Sequence, residues 1–361
     1  MALNRKTRWF LVILLALAAV CAVTYCRRPQ RVLESLAQDV HYGTLSIDVS
    51  DDGRFLAVGA DTDRREDASL LLMLNSQSLY FTGVSSRVDQ RVSQIKFVSE
   101  EFGFLLGCSI DPFVAGREEW PIVPGRLELF GLDGTRKVIV DSVPSPISSL
   151  SISADRRLVA VCSDASGDLS RWGECNVYSL EDGTLKSTFR PPEAFRLRAV
   201  MTEETDEYLV VCETYNQSPP RAYLIAGETG AVLHEAAISD RRMNLHSLVG
   251  AVGTGEAFVG MDGEIGRFEV SEGKFEYKER FYHMGLRPYW MDYHAGTGRL
   301  AAGDSQGGSH ERYEVRIIDV KTGKAFETII NDAGDLKFAP DGKSLYVLSG
   351  GVRKYFLSQL R

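Results

Sequence analysis

Residues 335–348 read Asp-Leu-Lys-Phe-Ala-Pro-Asp-Gly-Lys-Ser-Leu-Tyr-Val-Leu, which is a short apolar strand, a polar turn and a second apolar strand. Residues 45–59 repeat the pattern as Leu-Ser-Ile-Asp-Val-Ser-Asp-Asp-Gly-Arg-Phe-Leu-Ala-Val-Gly. Internal similarity of this kind is the signature of a repeat architecture. Further copies lie between these two, at residues 95–108, 150–162, 199–212, 248–261 and 291–304.

The spacing of the copies indicates the kind of repeat. The centres of their first strands recur every 43 to 55 residues, which is typical of a four-stranded propeller blade. These centres are Ile47, Ile95, Leu150, Ala199, Leu248, Met291 and Leu336. Tight glycine turns between third and fourth strands lie at residues 132–135, 181–184, 228–230, 271–274 and 321–324. All except the turn at 271–274 contain Asp-Gly or Thr-Gly, which supply the positive φ of a short hairpin. The sequence therefore predicts an all-β fold, a seven-bladed β-propeller over residues 32–361.

The last unit is one strand short. Residues 352–357 form its third strand, and too little chain follows for a fourth. We expect residues 31–42, ahead of the first unit, to supply the missing strand, because joining both ends of the chain in one blade closes the ring.

Two of the turns resemble those of a known group of proteins. Residues 339–343 read Ala-Pro-Asp-Gly-Lys with Leu345 behind them, and residues 50–57 read Ser-Asp-Asp-Gly-Arg-Phe-Leu-Ala. They resemble the WD40-like repeats of bacterial envelope propellers, the TolB-type and YVTN-type group, over about residues 32–361. No copy ends in the Trp-Asp pair of strict WD40 blades. The resemblance implies the propeller fold and leaves the function open.

The charge of the chain is unevenly distributed. The 361 residues carry a net charge of −8, but residues 1–31 hold six basic side chains and no acidic one. The remaining body therefore has a net charge of −14. An acidic body repels phosphate backbones, so we expect no nucleic-acid partner.

The N-terminus predicts a membrane segment. A basic tail at residues 1–8 precedes an almost uninterrupted apolar run at residues 9–26, and a basic linker follows at residues 27–31. This is the pattern of a secretory signal or a signal anchor. We favour the anchor; cleavage after Ala22 and lipidation of Cys21 are the alternatives. The propeller is then expected outside the cytosol, facing the periplasm from a bacterial inner membrane, or secreted if the segment is cleaved.

One face of the propeller is expected to be more elaborate than the other. Connections between first and second strands, and between third and fourth, are short and share one face. Connections between second and third strands are long and share the opposite face with the links between blades. Binding residues concentrate on long loops held by a rigid scaffold. The predicted interaction residues on this long-loop face are Arg64, Arg65, Trp120, Arg171, Trp172, Tyr215, Arg221, Arg287, Tyr289, His310 and Arg312.

The cysteines and histidines contain no metal-binding motif. Cys108, Cys162 and Cys212 occupy one repeat position in successive blades, which indicates small buried side chains. Cys175 opens the third strand beside Cys162, so these two are a candidate disulfide in an oxidising compartment. No CxxC pair, HExxH or GxSxG motif occurs. We therefore predict no metal, no cofactor and no catalytic residue.

Three functions remain open at this point. The favoured one is a membrane-tethered scaffold that binds a protein partner through the long-loop face. The second is a propeller enzyme, lactonase-like or another hydrolase, with a site in the central channel near His283, Asp292 and His294; we lean against it because no catalytic motif is present. The third is a small-ligand or glycan sensor, in which Trp120, Trp172 and Trp290 would stack on a sugar.

Overall fold

The computed structural model describes residues 46–61, 69–88, 90, 92–109, 124–144, 146–166, 169–201, 207–215, 218–251, 254–271, 273–285, 287–304, 314–330, 334–348 and 351–357. The expected hydrophobic helix at residues 9–26 and the expected closing strand at residues 31–42 lie outside these ranges. Among the residues described, no helix has the length and apolar character needed to cross a membrane.

The described chain forms seven antiparallel sheets, one per blade, with strands paired in sequence order. Blade 1 contains β1 (Ser46–Val49), β2 (Phe55–Asp61), β3 (Ser69–Asn75) and β4 (Phe81–Val88). Blade 2 contains β5 (Val92–Ser99), β6 (Gly103–Cys108), β7 (Gly125–Phe130) and β8 (Arg136–Val143). Blade 3 contains β9 (Ile147–Ile152), β10 (Leu158–Ser163), β11 (Glu174–Ser179) and β12 (Leu185–Phe189). Blade 4 contains β13 (Ala194–Met201), β14 (Glu207–Thr214), β15 (Arg221–Ala226) and β16 (Val232–Ala237).

The remaining blades follow the same plan. Blade 5 contains β17 (Leu245–Ala251), β18 (Glu256–Met261), β19 (Glu264–Ser271) and β20 (Lys274–His283). Blade 6 contains β21 (Pro288–His294), a 3-10 turn (Ala295–Thr297), β22 (Arg299–Asp304), β23 (Glu314–Asp319) and β24 (Lys324–Ile330). Blade 7 shows three strands in the described residues, β25 (Asp335–Phe338), β26 (Ser344–Leu348) and β27 (Val352–Phe356).

The first strands of the blades form a closed ring around a central channel. They pack against one another in the order β1, β5, β9, β13, β17, β21 and β25, and β25 packs against β1. The sequence prediction of a seven-bladed all-β propeller with four-stranded blades is thereby confirmed. Whether residues 31–42 complete blade 7 stays a prediction.

Burial changes from the inner strands to the outer ones. The second strand β10 is buried along its whole length, because blades cover both of its faces. The fourth strand β16 is exposed or half-buried throughout. Large apolar side chains fill the space between neighbouring blades; Met73 of blade 1 packs with Ile95 and Phe104 of blade 2. Each such burial contributes about 1.5–3 kcal/mol.

The turn between first and second strands is built in the same way in three blades. In blade 1 the side chain of Asp52 accepts a hydrogen bond from the backbone N–H of Arg54. Asp155 in blade 3 and Asp341 in blade 7 accept the equivalent bonds. The turn needs a left-handed residue, which is glycine in blades 1 and 7 and Arg156 (φ 60°) in blade 3. The repeated Asp is therefore a turn residue.

Hydrogen bonds from backbone to side chain join successive blades at the channel. Backbone N–H groups of one first strand donate to Ser or Asp side chains on the first strand of the neighbouring blade. One such bond connects blade 7 to blade 1. The bonds run from Ile95 N to Ser46 Oγ (3.0 Å), from Phe97 N to Asp48 Oδ2 (2.6 Å), from Ala199 N to Ser149 Oγ (3.2 Å), from Met201 N to Ser151 Oγ (2.7 Å), from Phe338 N to Asp292 Oδ2 (2.7 Å) and from Ile47 N to Asp335 Oδ2 (2.8 Å).

Candidate functional site

An aromatic cluster with an arginine lies on the long-loop face between blades 3 and 4. We call it the aromatic rim and define it as Trp172, Phe195, Arg196 and Tyr215. The ring of Tyr215 is 6.0 Å from that of Trp172 and 5.9 Å from that of Phe195, centroid to centroid. The guanidinium of Arg196 lies 5.5 Å from the Phe195 ring, a cation–π distance. Trp172 is 37% exposed and Tyr215 48%, so two large aromatic side chains face solvent together.

Backbone hydrogen bonds hold the rim loop against β13. The N–H of Ala165 donates to the carbonyl of Phe195, and the N–H of Gly173 donates to that of Ala194. A Cβ at Gly173 would lie 2.2 Å from the Leu197 side chain and 2.8 Å from the Ser163 carbonyl oxygen. Only glycine therefore allows the loop to approach this closely, and that approach places Trp172 beside blade 4.

A disulfide lies at the base of the same loop. Cys162 and Cys175 are directly opposite each other on β10 and β11, and the structure joins their sulfur atoms. The pair predicted from the sequence thus has the position a bridge requires. Cys108 and Cys212 are buried, as their repeat position suggested, and neither forms a disulfide with another described cysteine.

Arg171 differs from the expectation of an exposed contact residue. Its Nη1 lies 3.3 Å from Ser163 Oγ, and its Nε and Nη2 atoms are buried without a hydrogen-bond partner in the described part of the chain. Burial lowers the pKa of Arg171, although the nearby Glu174 acts in the opposite direction. The side chain therefore turns inward beneath the loop, because the Arg171 N–H donates to Ser166 Oγ (2.9 Å) and fixes the turn.

Arg196 connects the aromatic rim to blade 5. Its Nη1 is 3.5 Å from Oε2 of the buried Glu213. That same carboxylate oxygen accepts a hydrogen bond from the backbone N–H of Leu245 (2.9 Å), the first residue of β17. Burial raises the pKa of Glu213, while the Leu245 N–H and Arg196 lower it. Arg196 thus balances the negative charge of Glu213, and the hydrogen bond from Leu245 to Glu213 connects blade 5 to blade 4.

A second cluster continues along the face in blades 5 and 6. The ring of His246 lies 4.4 Å from that of Tyr289, and its Nε2 is 3.0 Å from Asp262 Oδ1. Arg287 lies 3.4 Å from the Tyr289 hydroxyl and 3.9 Å from Asp262. Burial lowers the pKa of His246 and outweighs the opposite effect of Asp262, and Arg196 and Arg287 lower it further. These effects favour the neutral form of His246.

The structure brings together some of the predicted interaction residues. Trp172 meets Tyr215, and Arg287 meets Tyr289. Arg221 is apart from both groups, since it pairs with Glu235 (2.7 Å) across β15 and β16. The predicted residues outside the described ranges are Arg64, Arg65, Trp120, His310 and Arg312.

The opposite end of the channel holds a cavity of about 540 Å³. We call it the channel cavity. Its walls are the ends of the first strands and the turns that follow them, including Asp51, Arg156 and Pro340. It lies toward the short-turn face, away from the aromatic rim. An ion pair between Asp51 of blade 1 and Arg156 of blade 3 crosses its margin.

An ammonium group between two carboxylates dominates one wall of the channel cavity. Lys337 Nζ is 3.1 Å from Asp48 Oδ1 and 3.2 Å from Asp292 Oδ1. Burial lowers the pKa of Lys337, but Asp292 and Asp48 more than reverse this, so the pKa is raised above its ordinary value. Burial raises the pKa of Asp335, on the same strand, to about 6.

The three residues considered for a hydrolase site, His283, Asp292 and His294, have different surroundings. Asp292 is bonded to Lys337 and to the Phe338 N–H. His294 has Thr297 Oγ1 and the Pro340 carbonyl oxygen each 2.9 Å from its ring nitrogens. His283 is exposed at the end of β20, outside the cavity lining. In the described part of the chain, no group of three His, Cys, Asp or Glu side chains could hold a metal ion. The three residues therefore do not form one site.

The tryptophans considered for a glycan site do not converge in the described structure. Trp172 belongs to the aromatic rim, whereas the half-buried Trp290 contacts Tyr289 in the second cluster, 6.0 Å between centroids. Trp120 lies outside the described ranges. The structure thus assigns Trp172 and Trp290 to separate clusters.

Sequence reasoning missed Phe195 and Arg196 at the aromatic rim, His246 in the second cluster, and Lys96 and Lys337 in the channel cavity. All five lie inside strands, so a search of the loops could not find them. The sequence did contain one signal for these residues, because charged or polar residues interrupt the otherwise apolar first strands.

Comparison with known proteins supports the fold. No family model matches the chain, and no curated protein matches it. Solved structures do match. Hydrazine synthase of Kuenenia stuttgartiensis aligns with a TM-score of 0.65 at 14% identity, over 87% of this chain and 95% of that one. The β-propeller domain of Myceliophteria thermophila Cps50 (Swd1) aligns with a TM-score of 0.61 at 13% identity, over 87% of this chain and 96% of that one.

The shared fold is a β-propeller. At these identities the similarity carries no information about activity or partners. The assignment to the TolB-type or YVTN-type group stays a prediction.

Proposed function

We propose that this chain is a protein-interaction module that binds a protein partner through the aromatic rim. The observation that carries the proposal is the exposed pair Trp172 and Tyr215, with Tyr215 in contact with Phe195 and with Arg196 beside that ring. Tryptophan, tyrosine and arginine are the residues that most often dominate binding energy at protein interfaces. Aromatic side chains clustered at the surface of a rigid scaffold are typical of such sites.

The chemistry of the rim indicates the kind of surface that fits it. The two exposed rings offer apolar area with polar edges, and Arg196 and Arg287 lie along the same face of an otherwise acidic body. A complementary partner presents apolar side chains together with carboxylates. Electrostatic complementarity of this kind gives specificity and a faster association rate.

The proposed setting is a membrane surface. The apolar run at residues 9–26 and the basic residues on both sides of it support an anchor. We propose that the anchor retains the propeller outside the cytosol, in the periplasm of a bacterium. A short tether restricts the module to partners at the same membrane and raises their effective concentration.

The test is crosslinking in native membranes followed by capture of the full-length chain. The rim variant combines Trp172→Ala and Tyr215→Ala. The matched control combines Tyr80→Ala and Phe102→Ala, which are 40% and 47% exposed and lie on short turns of the opposite face. A protein recovered with wild type and with the control, but lost with the rim variant, supports the proposal.

Two results would contradict the proposal. A partner retained by the rim variant and lost by the control would place the interface on the short-turn face. Recovery of the same proteins by all three chains would show that the rim contributes nothing to binding. Fractionation of the same membranes after a carbonate wash tests the anchor separately, because a peripheral protein is released and an anchored one is retained.

A further inference from the structure

The channel cavity has two unlike walls. Blades 1, 2, 6 and 7 contribute charged groups, among them Lys96 and the Lys337 ion pairs. The first strands of blades 3, 4 and 5 contribute apolar side chains, among them Leu150, Ala199 and Leu248, whereas the turn after β9 in blade 3 adds the charged Arg156. A volume of about 540 Å³ lies in the range of small-molecule sites. Such sites combine an apolar lining with a few polar groups that fix the ligand.

Most of the charged groups in this cavity are already compensated. Lys337 is bonded to Asp48 and Asp292. Arg156 pairs with Asp51 and donates to the carbonyl oxygen of Val98. Groups that are paired in this way need no further partner.

Lys96 is the exception among the cavity cations. Within the described residues, its ammonium group makes no hydrogen bond and no direct ion pair. Asp335 is near enough for the positive charge of Lys96 to favour its ionised form, but the Asp335 carboxylate accepts the backbone N–H groups of Ile47 (2.8 Å) and Leu336 (3.0 Å). Lys96 lies on β5, and β5 packs beside β9, which carries the apolar Leu150.

We infer that the channel cavity binds a small organic monocarboxylate, with its carboxylate on Lys96 and its apolar part on Leu150 and Leu248. A single ammonium without a direct ion pair among the described residues matches one negative charge. The carboxylates of Asp48, Asp51 and Asp292 line the same cavity and would repel a dianion such as a phosphate monoester more strongly than a monoanion. The apolar wall requires a ligand with a hydrocarbon body rather than a simple inorganic anion. This site is separate from the aromatic rim and goes beyond the proposed function.

Titration calorimetry and ligand-observed NMR on the full-length chain test the inference. The probes are hexanoate, phenylacetate and indole-3-acetate at millimolar concentration. Phenylacetamide and phenyl phosphate are the comparison compounds, because the first removes the charge and the second doubles it. We expect at least one of the three carboxylates to bind, and phenylacetate to bind more tightly than either comparison compound.

Three variants connect binding to the cavity. Lys96→Met removes the ammonium group and should weaken carboxylate binding about tenfold, the size of one charge-assisted hydrogen bond. Lys343→Met is the matched control, since Lys343 is exposed on the turn after β25 and does not line the cavity. Leu248→Phe fills the cavity from its apolar wall and should abolish binding with Lys96 intact.

The outcomes separate the alternatives. The inference is overturned if none of the three carboxylates binds, or if phenyl phosphate or phenylacetamide binds as tightly as phenylacetate. Equal binding by Lys96→Met and wild type would also overturn it. Far-UV circular dichroism of each variant checks that the propeller is folded. A result on this cavity is independent of crosslinking at the rim, so either proposal can fail alone.

Discussion

The two faces of the propeller carry different chemistry. At the short-turn end, charges face one another across a narrow ring, and Lys337 is shared by Asp48 and Asp292. At the long-loop end, Trp172 and Tyr215 face solvent, and Arg196 has one acidic partner behind it. At the short-turn end, most charged groups therefore pair with one another. At the long-loop end, the aromatic side chains are exposed and can contact a partner.

The comparison predicts that substitutions in the channel lower the unfolding free energy more than substitutions at the aromatic rim. The largest expected effect is that of Lys337→Met, which leaves two carboxylates near each other without their common cation. Breaking a buried ion pair from one side costs about 3–5 kcal/mol of unfolding free energy. Urea denaturation at pH 7 measures it, with Lys343→Met as the exposed control, expected within about 0.5 kcal/mol of wild type. Equal stability of the two variants would show that the channel charges do not hold the ring.

A smaller effect is expected from the titration of Asp335. Its pKa is raised from the ordinary 3.8 to about 6, so between these pH values the folded state holds a proton that the unfolded state has released. The stabilisation is complete below about pH 4 and is lost as the pH rises through about 6. Between these values wild type should lose about 2 kcal/mol relative to Asp335→Asn.

Unfolding free energies of both chains at pH 4, 5, 6 and 7 give the difference directly. Asparagine keeps an oxygen that can accept the Ile47 N–H but has no proton to release. Parallel pH profiles of the two chains would argue against a raised pKa for Asp335.

The smallest effect is expected at the aromatic rim. Trp172→Ala with Tyr215→Ala should lower the unfolding free energy by about 1 kcal/mol, because exposed substitutions cost little and one aromatic pair contributes about 0.5–1.5 kcal/mol. The same urea measurement checks it. A loss above about 3 kcal/mol would mean that the rim is part of the core, and the crosslinking variant would then need to be replaced by Tyr215→Ala alone.

The sequence predicted the seven-bladed propeller better than it predicted the residues of the aromatic rim and the channel cavity. Copies of the turn around Asp52 and Asp341 reveal the blades, because a tight turn needs the same residue types wherever it occurs. Arg171 was expected to be exposed from its place in a long loop, but the direction of a side chain depends on what lies beneath the loop. Phe195 and Arg196 were overlooked because a strand residue next to a blade boundary faces the neighbouring blade, and only the assembled ring shows this.

One consequence of the hydrogen bonds between blades concerns the free edges of the sheets. The first strand of every blade is an edge strand, and its unpaired N–H groups are ordinarily a template for strand addition. Side chains such as Asp48, Asp292 and Asp335 occupy N–H groups of the adjoining blade, so these positions of the inner edges are unavailable to an added strand. We therefore expect an added strand to pair at the outer circumference, where β27 forms the last described strand of blade 7 and carries Phe356, 79% exposed.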